Sequence, residues 1–195
     1  NSYLQDIITR EKFFKNVSFK NLYSINIKNS EPEPIFLIGF PRSGTTLLDT
    51  ILRSHKEIEV LEEKPILSNT LDYLNELKGK NLDALSIINE NEILNIRAKY
   101  YEILKSNVKK YDKSKIFIDK LPLNIIHVGE ILKIFPNAKF IVSIRHPCDC
   151  VLSCFMQDFK LNNAMSNFLN LKDSAKLYDL VMDLWFLFKS KLSIN

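Results

Sequence analysis

Apolar positions along the chain switch between two periods, and the switches mark out its elements. Short continuous apolar runs near residues 35–39, 58–61, 116–119 and 139–144 predict strands buried on both faces. Stripes of helical period lie between them. Leu47, Leu48, Ile51 and Leu52 share one side of a helix predicted over 45–54. Pro65 opens a helix marked by Leu67, Leu71, Leu74 and Leu77, ending near Gly79. A second pattern from Leu82 to Tyr111 carries Ile93, Ile96, Tyr100, Ile103 and Leu104, with a break at Asn89–Asn91. A helix N-capped by Asn124 carries Ile125, Val128, Leu132 and Phe135, with His127 as a surface or packing residue. Pro147 opens another, reaching about Phe159, with Val151, Cys154 or Phe155 on its apolar face. Residues 160–172 read as a polar, asparagine-rich loop. From Asp173 to Lys191 the spacing of Leu177, Leu180, Val181, Leu184, Trp185 and Phe188 predicts an amphipathic helix anchored in the core by Trp185. This alternation predicts an α/β fold: a parallel sheet flanked by helices, with a helical insertion over 66–111.

Before the first strand, residues 1–33 read as an entry segment packed on the edge of a domain spanning 34–195. Leu4, Ile7, Ile8 and Phe14 suggest a short helix, accompanied by the aromatics Tyr3, Phe13, Phe19 and Tyr23. Two prolines within Lys28–Pro34 break it. The 195 residues, 46% apolar and 26% charged, suffice for one domain with a real core. A net charge of +4 suits an anionic ligand without pointing to nucleic acid. No apolar run approaches the ~18–20 residues that cross a bilayer, and no signal-peptide pattern opens the chain. The three cysteines, Cys148, Cys150 and Cys154, are odd in number and lie in one helical stretch. They read as buried or half-buried thiols of a reducing compartment rather than a disulfide framework or a metal site. A cytoplasmic location is the expectation. The chain begins with Asn1, which suggests a fragment or a processed form.

The most specific chemistry lies in Gly39-Phe-Pro-Arg-Ser-Gly-Thr-Thr46, between the first strand and its helix. Strand, glycine-bounded loop and helix make an anion cradle, because loop N–H groups and the free N–H groups of the first helical turn converge where the helix dipole is positive. The Gly39-x-x-x-x-Gly44 spacing is P-loop-like, but Thr45 stands where a P-loop has lysine. The cation has moved into the loop, to Arg42, whose guanidinium offers two-pronged contacts to oxyanions. This argues against ATP or GTP hydrolysis and for another phosphorylated ligand. Three other strands end in charged groups: Glu62–Glu63, Asp119–Lys120 and Arg145. Ligands of open α/β sheets sit beyond such ends. Plainer roles exist for each, the glutamates favouring the next helix N-terminus and Lys120 pairing with Asp119.

Pro-Arg-Ser-Gly-Thr-Thr-Leu-Leu after an apolar strand resembles the 5′-phosphosulfate-binding loop of sulfotransferases. The arginine form is similar to tyrosylprotein sulfotransferases and bacterial relatives that carry tetratricopeptide repeats. Arg145-x-Pro147 with Ser153 eight residues beyond the arginine resembles the family's 3′-phosphate element. Asp-Lys-x-Pro around Lys120 resembles its second basic element, and the interval from His55 to Glu63 reproduces that between a loop-helix histidine and the general base. His146 and Gln157 depart from the usual pattern, which leaves local charge and one auxiliary contact in question.

The resemblance implies transfer of a sulfuryl group from 3′-phosphoadenosine-5′-phosphosulfate to an acceptor hydroxyl on protein tyrosine, carbohydrate or a small molecule. Arg42, Ser43, Gly44, Thr45 and Thr46 would hold the 5′-phosphosulfate, and Arg145 and Ser153 the 3′-phosphate. Lys120 and Arg42 would stabilise the leaving oxygen, and Glu63 would take the acceptor's proton, with no metal needed. It also implies a preceding repeat domain and a further strand after Asn195, hence a domain truncated at its C-terminus. The alternatives are a non-catalytic nucleotide-binding or scaffold domain, and a P-loop kinase or NTPase.

Overall fold

Buried β-branched and aromatic side chains make four strands of five residues each: β1 (Ile35–Gly39), β2 (Ile58–Glu62), β3 (Ile116–Lys120) and β4 (Lys139–Ser143). In a computed structural model of the chain, which describes residues 2–18, 22, 31–192 and 194, they form one parallel sheet in the order β2-β3-β1-β4. β2 and β3 run one residue further than their apolar runs, so Glu62 and Lys120 belong to the sheet, and β4 stops at Ser143. Phe19, Tyr23 and residues 28–30 of the proline-bounded break lie outside the described residues.

The helices are α1 (Ser2–Asn16), α2 (Thr45–Arg53), α3 (Ile66–Lys78), α4 (Ala84–Ile87), α5 (Glu90–Ser106), α6 (Val128–Ile134), α7 (Pro147–Phe155) and α8 (Leu171–Lys191). Several boundaries differ from expectation, each for a local reason. Asn89 splits the 82–111 pattern by capping α5 in a reciprocal box with Glu92. Asn124 is not an N-cap: it lies buried inside a 3-10 turn, Pro122–His127, and α6 starts only at Val128. The 160–172 stretch is partly ordered. Asn162 accepts from the N–H groups of Ala164 and Met165, a 3-10 turn spans Met165–Leu169, and Asn170 caps α8 two residues earlier than predicted. α7 ends at Phe155, which is exposed, while Phe159 packs on Phe168. Cys148 is exposed, unlike the buried Cys150 and Cys154.

The sheet's two faces are covered unequally. Phe36, Ile38 and Leu61 face the main core, where Phe36 stacks on Phe140 and α1 packs on α8 through Phe14 and Phe188. Trp185 is buried there as expected. The other face, Leu37, Val60 and Ile118, meets Leu48 and Leu52 of α2. The remaining half of the α2 stripe is not buried: Leu47 is 68% and Ile51 58% exposed. What α2 buries besides Thr45 is Asp49, 1% exposed.

Candidate active site

All four strands point their carboxyl ends to one edge of the sheet, and the predicted site residues gather there. Gly39 ends β1 with no room for a side chain: a Cβ would meet the Ser143 carbonyl oxygen at 2.6 Å and Ser43 Oγ at 2.8 Å. The loop turns through a Ser43 N–H to Phe40 carbonyl bond of 3.1 Å. Gly44 adopts a left-handed φ of 104° and delivers the chain into α2 at Thr45. The first-turn N–H groups of α2 therefore open onto the loop's concavity. Two neighbours brace the loop from outside. Ser143 Oγ donates to the Ser43 carbonyl at 2.9 Å, and the Cys154 thiol donates to the Pro41 carbonyl at 3.4 Å. Burial pushes the Cys154 thiol up to about 12, so it stays a neutral donor. Ser43 and Thr45 are buried, while Gly44 and Thr46 are exposed at the rim. The Ser43 hydroxyl is buried and makes no hydrogen bond, a donor free to serve an anion at the floor of the cradle.

Arg42 and Glu63 are the non-glycine residues with positive φ among the described ones, at 68° and 50°. Strain of this kind gathers where a side chain must be aimed. The Arg42 Nε donates to Ser153 Oγ at 3.0 Å, and Arg145 Nη1 donates to the Arg42 carbonyl at 3.4 Å. The two motifs, 111 residues apart for the first bond, are thus one structure. Arg145 is exposed and also lies 3.4 Å from Asp149 on α7.

On the other side, the β2–β3 register sets Glu62 beside Lys120, and β1–β3 pairing sets Leu37 beside Lys120. Side chains in one row share a face, so Lys120 emerges on the α2 side with Glu62. Its Nζ, fully buried, donates to Glu62 Oε1 at 3.2 Å and Glu63 Oε1 at 3.1 Å. The Glu63 N–H bonds the Lys120 carbonyl at 2.7 Å, which pins the left-handed turn. Lys120 does not pair with Asp119, whose side chain points to the opposite face. There Tyr100 donates to it at 3.3 Å, and burial raises its carboxyl to about 7.

The structure brings Arg42, Arg145 and Ser153 to one place, and Glu63 and Lys120 to another. Among the described residues, no hydrogen bond joins Arg42 to Lys120. Sequence reasoning missed the partners of Glu62 beyond Lys120. Arg53 Nη2 donates to Glu62 Oε2 at 2.9 Å, and its Nε donates to Asp49 Oδ1 at 2.7 Å, with a further Nη2 bond to Asp49 Oδ2. Arg53, and then Lys120, hold the Glu62 carboxyl below its usual range. Only the i, i+4 spacing of Asp49 and Arg53 hinted at this in the sequence. Ser143 was likewise missed. A cavity of about 440 Å³ between α1, α3 and α6, lined by Arg10, His127 and Glu130, includes none of the predicted groups.

Chemically, the edge offers an anion cradle with two guanidiniums next to a lysine–carboxylate cluster. Residues 34–191 match the family model described as "Sulfotransferase family". An uncharacterized protein of Aquifex aeolicus is 34% identical over 142 residues, covering 69% of this chain and 18% of that protein. Protein-tyrosine sulfotransferase 1 of Danio rerio is 30% identical over 131 residues, covering 65% and 36%. The chain thus spans only about a fifth to a third of the length of these relatives. Sulfotransferase STF9 of Mycobacterium avium is structurally similar with a TM-score of 0.48 at 12% identity, covering 94% of this chain and 61% of that one.

Proposed function

The chain belongs to the sulfotransferase family, and we propose that it moves a sulfuryl group from 3′-phosphoadenosine-5′-phosphosulfate to an acceptor hydroxyl, with protein tyrosine as the acceptor class. The observation that carries this reading is the Arg42–Ser153 bond of 3.0 Å, which brings the two motifs that resemble the family's 5′- and 3′-phosphate elements into contact. The tyrosine acceptor rests on the named activity of the Danio rerio relative.

The residues present fit such a donor. The loop N–H groups, the unpartnered Ser43 hydroxyl and the Thr45 and Thr46 segment suit the 5′-phosphosulfate. Arg145 and Ser153 suit the 3′-phosphate, and Arg42 adds a charge that no carboxylate among the described residues neutralises. The donor supplies the sulfuryl group. In the transfer, the acceptor oxygen forms a bond to sulfur as the bridging S–O bond breaks. The bond's electron pair stays on the bridging oxygen, where Lys120 and Arg42 offset its charge. Glu63 takes the acceptor's proton. Side-chain cations and N–H groups supply the stabilisation, so the scheme uses no metal.

The test is transfer itself. Incubation with the donor and a tyrosine-containing peptide should yield sulfated peptide and 3′,5′-adenosine bisphosphate in equal amounts, without added metal. Binding of the bisphosphate with no transfer to peptide, carbohydrate or phenol acceptors would make the chain a non-catalytic nucleotide-binding domain. ATP turnover with magnesium would favour the kinase or NTPase alternative.

A further inference from the structure

Lys120 is fully buried yet bonded to two carboxylates that are not equivalent. Glu63 has Lys120 as its ion-pair partner, and its carboxylate is 58% exposed. Glu62 has two cations, Lys120 at 3.2 Å and Arg53 at 2.9 Å. Arg53 is in turn fixed by Asp49, a carboxylate 1% exposed on the buried side of α2. Burying a carboxylate is costly unless it is paired and hydrogen-bonded. Here the pairing spends the burial on orienting Arg53, and through it Glu62. The chain of contacts runs Asp49–Arg53–Glu62–Lys120–Glu63, three carboxylates against two cations, and of its two carboxylate ends Glu63 is the exposed one.

We propose that Arg53, locked by Asp49, is a positioning residue that holds Glu62 as the standing counter-ion of Lys120, leaving Glu63 to exchange its lysine contact for the acceptor's proton. The inference deepens the sulfuryl-transfer reading and rests on it. Without Glu62 so held, Lys120 would have Glu63 as its partner, and a base locked to a buried ammonium is a poor proton acceptor. With it, Lys120 keeps a counter-charge when Glu63 turns to the acceptor, and stays placed for the leaving oxygen. The other charged group reaching β2 from the chain before β3 is Lys115, which pairs with Glu59 at 3.4 Å and takes no part in the chain of contacts. The nearby imidazole, His55, accepts from the Glu57 N–H through Nδ1.

Arg53 is 44% exposed at its side chain, so its replacement should leave the fold intact, whereas Asp49 replacements are less safe. Two measurements on Arg53→Gln and Arg53→Lys test the proposal. In the first, carboxyl carbon NMR follows the titration of Glu62, assigned with Glu62→Gln. Arg53→Gln should move its midpoint upward by about half a pH unit or more, and Arg53→Lys should return most of the shift. In the second, the acid limb of the kcat/KM profile for transfer should move to lower pH, with a lower plateau, in Arg53→Gln as Lys120 closes on Glu63, and return in Arg53→Lys. Glu62 titrating alike in wild type and Arg53→Gln overturns the proposal. So does an acid limb that stays in place while Glu62 moves, because Arg53 would then be tied to Glu62 without bearing on the base. The proposal also fails if the lysine variant behaves like the glutamine variant in both readouts. Failure of the sulfuryl-transfer reading has a different signature: wild-type protein that neither binds 3′,5′-adenosine bisphosphate nor transfers, with the Glu62 titration still responding to Arg53.

Discussion

The cations above β1 and β4 touch hydroxyl and carbonyl oxygens, whereas those above β2 and β3 touch carboxylates. Arg42 bonds Ser153, and Arg145 bonds the Arg42 carbonyl, with one exposed contact from Arg145 to Asp149. Lys120 and Arg53 are enclosed by Glu62, Glu63 and Asp49. A guanidinium held by neutral dipoles is oriented but not neutralised, and remains available to an external anion. An ammonium held by carboxylates is neutralised locally, and its cluster can accept a proton. On the proposed reading, one sheet edge carries an anion-binding half and a proton-handling half. The difference arises from which strands have acids at their ends.

Several substitutions press on this division. The largest effect belongs to Glu63→Gln. It should lower turnover by ~10²–10⁴ while binding of 3′,5′-adenosine bisphosphate stays unchanged; parallel losses in rate assays and calorimetry would erase the boundary between the halves. The next concerns stability. Asp119, on the opposite face of β3, has its carboxyl raised by burial to about 7. A raised carboxylate makes the folded state bind more protons than the unfolded one between about pH 4 and about pH 7. Its contribution is therefore full below that window and falls as pH rises through it, by a total on the order of 4 kcal/mol at most. Denaturant midpoints of Asp119→Asn should show a shallower decline with pH than wild type. Matching slopes would mean Asp119 is already ionised and adds charge behind the proton-handling half.

Third in size, Arg42→Ala should weaken bisphosphate binding by about 10- to 100-fold, the worth of one or two hydrogen bonds to a charged group. Arg42→Lys should recover part of the charge but not the Ser153 tether. The smallest effect is that of Cys154→Ala, which removes a weak S–H donor from the Pro41 carbonyl. Affinity should drop only a few-fold, by about 1 kcal/mol or less, with Cys154→Ser close to wild type. A larger loss would show that the loop's shape depends on this brace.

The sheet and the cradle were legible because their signals are local. Continuous apolar runs become buried parallel strands, and the two glycines five residues apart sit at the ends of the loop, one where no side chain fits and one at a left-handed φ. Arg42, Lys120, Arg145 and Glu63 were legible as strand-end or loop groups. Their partners were not. Nothing in the spacing tied Arg42 to Ser153 across 111 residues; the family resemblance linked their motifs, and the bond itself needed coordinates. α2 shows why periodicity misled. Its apolar stripe predicts a buried Leu47 and Ile51, yet the helix turns Asp49 inward to hold Arg53, and both apolar residues are exposed. The Asp49–Arg53 ion pair takes the side of α2 that a periodic stripe would bury. The asparagines of 160–170 misled in the opposite sense: read as a loop, they cap and bridge short turns through their own side chains.

Isothermal titration of the chain with 3′,5′-adenosine bisphosphate tests the central claim most directly. A one-to-one complex is predicted, weakened sharply by Arg42→Ala and by Arg145→Ala and left intact by Glu63→Gln. Absence of binding to the folded wild-type chain, or binding indifferent to both arginines, would contradict it.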